Sequence, residues 1–205
     1  MQPSEEKIYN QLAQLRTMAF RPLNKILTSL GMTADSLSYL AVFLMVLFVF
    51  VSQHNLRLGF WLIVARMLAD VLDGPLARYQ KTASDRGKFV DVLMDNLGFA
   101  LFIIGVVKAG IINSLPAITY LFATELVVVL MIIRFNLKRR SNWLFYASAG
   151  SFPYNFVYGS YLLYGLYAFG GGNYLNGAAQ IFSILLIAKA ALDYWIIQKI
   201  PDKKA

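Results

Sequence analysis

The chain reads as long apolar runs separated by short polar ones. A transmembrane helix needs about 20 predominantly apolar residues, and six stretches qualify: 36–52, 57–78, 87–107, 112–134, 143–168 and 175–198. Residues 4–30 behave differently. There Leu12, Leu15, Met18, Leu23, Ile26 and Leu27 recur near helical period between Lys7, Arg16, Arg21 and Lys25, as in an amphipathic helix lying on a membrane surface. Thr33-Ala34-Asp35-Ser36 supplies N-cap residue types ahead of the first long run, and Gly170-Gly171-Gly172-Asn173 breaks the chain between the fifth and sixth. The expected fold is all-α and integral to the membrane, with an amphipathic juxtamembrane helix in 1–32, six transmembrane helices in 33–200 and a short tail over 201–205. No internal repeat is visible, so symmetry gives an inverted-repeat transporter no support.

Composition agrees. Hydrophobic residues make up 58% of the chain and charged residues 15%, against roughly 45–50% and 25% in soluble domains, and the mean hydropathy is +0.55. Such a chain cannot cover itself with a water-facing surface, which excludes a soluble enzyme, a disordered tail and a nucleic-acid module despite the net charge of +8. Cysteine is absent, so disulfides, thiolate metal sites and Cys nucleophiles are excluded too. Glu5 and Glu6 stand where the basic region of a signal peptide would be, so none is expected.

The basic residues account for the charge and predict an orientation. Four precede the first span; Arg78, Lys81, Arg86 and Lys88 flank the loop between spans two and three; Arg134, Lys138, Arg139 and Arg140 follow span four; Lys199, Lys203 and Lys204 end the chain. The opposite side has only Arg57 and Lys108. By the positive-inside rule both termini and the 79–86 loop face the cytoplasm, in the cell membrane if the source is a prokaryote.

Against that background, four acids are out of place. Asp70 and Asp73 fall in span two, Asp91 and Asp95 in span three, where each carboxylate costs on the order of 2.5–3.5 kcal/mol on insertion scales. Spacings of i,i+3 and i,i+4 put each pair on one helix face. At about 1.5 Å of rise per residue, Asp73 and Asp91 are the shallow residues and Asp70 and Asp95 the deep ones, roughly 6–12 Å below the helix ends. Four such charges would repel one another unless divalent cations compensated them. Hard, oxygen-liganded Mg²⁺ or Mn²⁺ suits the donor set, and two ions together form the usual clamp for phosphoryl displacement. Gly74 and Ala77 leave room for a ligand against the helix, Gly87 opens the next one, and Arg78 is placed to meet a phosphate.

The stretch Asp70-x2-Asp73-Gly74-x2-Ala77-Arg78-x8-Gly87-x3-Asp91-x3-Asp95 resembles, position for position, the signature of the CDP-alcohol phosphotransferase family. Six spans preceded by a surface helix resemble it as well. The resemblance implies that an alcohol attacks the β-phosphorus of a CDP-linked donor and CMP leaves. It implies metal ligation by Asp70, Asp73, Asp91 and Asp95, with Asp95 also the general base. It further implies that Gly74, Ala77, Arg78 and Gly87, with Asp70 and Asp73, frame the CDP moiety, and that the protein is a homodimer. Many relatives carry Thr-Pro-Asn before the first span, where this chain has Thr33-Ala34-Asp35.

The remaining charged residues have plainer readings. Arg66 is i,i+4 from Asp70, so an ion pair within span two is available, and Arg66 reads as a partner of the acidic site rather than a ligand-binding residue. Lys189 and Asp193 are i,i+4 in span six and neutralise one another; Glu125 lies at a depth from which it could also reach Lys189. Arg134, Lys138 and Arg139 are first an orientation anchor and second a pocket for a phosphorylated acceptor. The expected donor is CDP-diacylglycerol or an archaeal-type CDP-linked lipid, reached from the bilayer, with inositol phosphate or glycerol phosphate among the acceptors. Arg134-Phe135-Asn136 resembles serine-accepting members, and a soluble CDP-alcohol donor with a lipid acceptor is a second alternative. Outside the class stands a divalent-cation transporter, which would need no Gly74, Ala77 and Arg78 at these spacings.

Overall fold

In a computed structural model of the protein, residues 14–138 and 152–199 are described, and every regular element among them is a helix. A helical stretch over 14–19 leads into α1 (Arg21–Ser29), followed by α2 (Ala34–Val51), α3 (Leu56–Tyr79), α4 (Asp85–Lys108), α5 (Ser114–Lys138), α6 (Phe152–Ala168) and α7 (Leu175–Gln198). The expected residues 1–13, the beginning of the fifth span at 143–151 and the tail at 201–205 lie outside the described residues.

Local chemistry sets the boundaries. Thr33 caps α2 by accepting from Ser36 N while Ser36 Oγ accepts from Thr33 N, the reciprocal arrangement that satisfies two otherwise unpaired donors. Asn55 and Ser84 cap α3 and α4 by accepting from Leu58 N and Gly87 N. Gly170, at φ +97°, turns the chain after α6. Pro75 lies inside α3.

Among the described residues, four helices are long and apolar enough to cross a membrane: Ala34–Val51, Arg86–Lys108, Ser114–Ile133 and Leu175–Gln198. α3 has the length, with 24 residues, but carries Arg66, Asp70 and Asp73 along its middle. In α6, 17 residues are described. The protein is an integral membrane protein.

α2 packs along both α3 and α4, and α5 packs along α7. α6 joins the two groups through contacts with α3, α5 and α7. Although α3 and α4 are consecutive, their backbones barely meet. The short loop predicts adjacent antiparallel neighbours; instead α2 lies against both and holds them apart. The core gathers at the end remote from the 79–85 loop. Phe48 of α2 stacks on Phe102 of α4 at 5.6 Å between centroids and meets Tyr164 of α6 edge-on at 5.3 Å; Phe102 meets Tyr161 at 4.8 Å. Lipid tails are as apolar as these rings, so close packing rather than expulsion of water holds such helices together.

Candidate active site

At the opposite end, where α3 finishes and α4 begins, the helices stay apart and enclose a cavity of about 750 Å³. All eight signature residues, from Asp70 to Asp95, line it. Its floor is acidic. One carboxylate oxygen from each of Asp70, Asp91 and Asp95 lies within 4.8 Å of the others. Asp95 is within hydrogen-bonding reach of Asp70, and Asp91 of Asp73, which is the deep-with-deep and shallow-with-shallow pairing expected from the rise of two antiparallel helices. Asp73 is 8% exposed, and Ser38 of α2 donates to its Oδ2 at 3.0 Å. Tyr158 of α6 donates to Asp70 Oδ2 at 3.4 Å.

The donor set fits a hard divalent cation. It is all oxygen, it converges from two helices, and opposite ligands of Mg²⁺ stand about 4 Å apart, so closing the triad onto one ion takes only a small side-chain adjustment. Among the described residues the nearest buried cation is Arg66, 3% exposed, whose Nη2 donates to Asp95 Oδ1 at 2.6 Å. The ion pair therefore forms across the gap to α4 and not along α3 to Asp70. Sequence spacing offered the second; the room beside Gly98 makes the first.

The mouth is basic. Arg16, Arg78, Arg86 and Lys88 all line it. Arg78 lies over Gly74, where an added Cβ would sit 3.5 Å from Nη1, and its Nε donates to Thr17 Oγ1 at 2.9 Å. Gln80 Nε2 donates to Thr28 Oγ1 at 3.2 Å and to Met32 O at 2.7 Å, so the segment before α2 is tied to the end of α3 at two places. Across the opening, Arg86 stands 4.0 Å from Asp35.

Among the expected acceptor-side residues, α5 carries Arg134 and Lys138 near its C-terminal end, and Arg139 lies outside the described residues. Lys189 pairs with Asp193 inside α7, as the spacing predicts. Two cavity residues, Ser38 and Arg16, escape a reading of the sequence, whereas Tyr154 and Tyr158, near Pro153 in the fifth span, read as cavity candidates that nothing else singles out. Tyr154 and Tyr158 are one turn apart on α6 and line the acidic floor; their i,i+4 spacing was visible, but nothing in it said which face meets α3. Ser38 and Arg16 carry no local signal at all.

A family model described as CDP-alcohol phosphatidyltransferase matches residues 31–195 of the 205-residue chain. A search of curated proteins finds no match.

Proposed function

The chain belongs to the CDP-alcohol phosphatidyltransferase family, and on that premise we propose that it moves a phosphatidyl group from CDP-diacylglycerol to a phosphorylated, water-soluble alcohol, with release of CMP. The family is a transferase family that depends on divalent metal. Which donor and which acceptor this chain uses is our reading. The observation that carries it is the convergence of four carboxylates from α3 and α4 on one cavity whose mouth is basic.

In this reading α3 and α6 join the four apolar helices as spans, making six, preceded by the surface segment at 14–29. The cavity opens to the cytoplasm, and the protein is a homodimer. The charge distribution supports the orientation. Leu15, Met18 and Ile26 are exposed, as befits an amphipathic segment whose apolar side rests on lipid.

Asp70, Asp73, Asp91 and Asp95 hold two ions, Mg²⁺ or Mn²⁺. Bound there, such ions would supply positive charge to the diphosphate and to the departing CMP. Gly74, Ala77 and Gly87 let the nucleotide approach the helix backbones, and Arg78, oriented by Thr17, meets the diphosphate. The acceptor oxygen forms its bond to the β-phosphorus as the bond to the CMP oxygen breaks; the acceptor's proton passes to Asp95. Arg134, Lys138 and Arg139 receive the acceptor's own phosphate. Acyl chains stay in the bilayer throughout, and the basic residues at the end of α5 favour a phosphorylated, water-soluble acceptor and with it a lipid-borne donor.

CMP release by the purified protein tests the reading, with CDP-diacylglycerol, Mg²⁺ or Mn²⁺, and inositol phosphate, glycerol phosphate, serine or inositol supplied singly. Release with one phosphorylated acceptor is expected, abolished by chelation and reduced about 10²–10⁴-fold by Asp95→Asn. Release with serine alone moves the acceptor assignment. Release only with CDP-choline or CDP-ethanolamine and diacylglycerol overturns the donor assignment.

A further inference from the structure

We propose that Arg66 is a positioning residue: a strut between α3 and α4 that fixes the carboxylate of Asp95 for proton transfer. The inference rests on the reading that Asp95 accepts the proton of the attacking alcohol.

Three observations converge on it. First, α3 and α4 carry the four aspartates yet barely touch along their backbones, because α2 packs between them, so any direct tie between the two acidic helices has to be made by side chains. The Arg66–Asp95 hydrogen bond, at 2.6 Å, spans that gap. Second, a place has been made for the guanidinium. Gly98 lies one turn beyond Asp95 on α4, and a Cβ there would stand 3.2 Å from Arg66 Nε and 3.3 Å from Nη2, closer than ordinary contact. The ring of the buried Tyr161 lies 5.7 Å from the guanidinium carbon on another side. Third, Arg66 Nε is buried and has no hydrogen-bond partner. A donor left unpaired at that depth is costly, and one bond to Asp95 is what the side chain is held there to make.

The bond has a direct chemical consequence. With Oδ1 occupied by Arg66, the carboxylate cannot spin freely, and its other oxygen is the one left to face Asp70 and the cavity. Asp95 thereby differs from Asp70 and Asp91, whose partners are neutral or acidic. Arg66 is four residues from Asp70, but it serves the opposite helix.

The test uses the full chain, whose lack of cysteine allows spin labels to be placed freely. Arg66→Met is expected to lower kcat about 10–100-fold with the donor KM within about twofold. In an Asp95→Asn background the same change is expected to cost less than about twofold, because two residues acting as a unit are not additive. Arg66→Lys, which can still make one charged hydrogen bond, is expected to restore most of kcat. Gly98→Ala, which keeps every charge and crowds Arg66 from the other side, is expected to lower kcat by a smaller factor. Equal losses from Arg66→Met with and without Asp95 overturn the proposal. Labels at Leu68→Cys and Leu97→Cys, both exposed, give a second readout by electron–electron distance measurement. The distance distribution is expected to broaden in Arg66→Met; a distribution identical to that of the parent overturns the strut. That arm decides the matter even if the parent protein releases no CMP, an outcome that would count against the proposed reaction and not against the strut.

Discussion

The two ends of the α2–α3–α4 group use the same residue type for opposite purposes. At the aromatic end, glycine is spent on protein. A Cβ at Gly105 would collide with the Phe48 ring, and one at Gly59 would collide with the Tyr164 hydroxyl and stand 3.3 Å from Phe48. At the acidic end a Cβ at Gly74 would find only the Arg78 guanidinium at 3.5 Å, and one at Gly87 only Ser84 Oγ at 3.5 Å, both ordinary contacts. The space at one end is filled by rings, and at the other it is left for something the chain does not supply. A small residue required by packing and a small residue required by a ligand look alike in a sequence. What a methyl group would hit tells them apart.

The sharpest way to break this comparison is Gly74→Ala. The folded chain has room for the methyl, and alanine favours a helix by roughly 1 kcal/mol over glycine, so melting temperature in detergent is expected to hold or rise. Donor affinity, read from KM in the CMP-release assay, is expected to fall about 10-fold or more, the scale of one methyl group in a fitted pocket. A lowered melting temperature would place Gly74 with the packing glycines instead. Next comes Gly105→Ala, where overpacking against Phe48 is expected to cost about 1–3 kcal/mol of stability. Its activity per folded molecule should stay at the parent level; a catalytic loss without loss of stability would erase the distinction between the two ends. Ser38→Ala makes the smallest change. It removes the hydrogen bond from α2 to Asp73 at a net cost of about 1 kcal/mol, which should appear as a several-fold lower kcat/KM with the aromatic end untouched.

Much of this site was legible in the sequence because its parts are periodic. Asp70 with Asp73 and Asp91 with Asp95 share helix faces by spacing alone, and two antiparallel helices joined by a short loop must bring equal depths together. The start of α2 was equally accessible, since Thr33 carries its capping chemistry locally; Asn55 and Ser84 cap α3 and α4 in the same way, although a reading of the sequence alone does not single them out. What escaped depends on a third element. Nothing in α3 or α4 says that α2 will keep them apart, and so nothing there says that Arg66 will reach past Asp70 to Asp95. Ser38 comes from α2, whose rotation about its own axis is fixed only by packing; Tyr154 and Tyr158 read as cavity candidates, but which cavity they line depends in the same way on how α6 packs. Arg16 and Thr17 lie before residue 31, where the match to the family begins, and only the folded chain shows that Arg16 lines the cavity and that Thr17 holds Arg78 beside it.

Pro75 adds a consequence of a different kind. Proline has no N–H to give, so Val71, four residues earlier, loses the donor that an ordinary residue at 75 would provide. Within a bilayer an unpaired carbonyl survives only where it is buried in protein or borders a water-filled space. Val71 and Pro75 both line the cavity. The gap in the hydrogen-bond ladder of α3 thus falls on the cavity side of the helix, one residue nearer the mouth than Asp70, where the freed carbonyl of Val71 borders polar space rather than lipid.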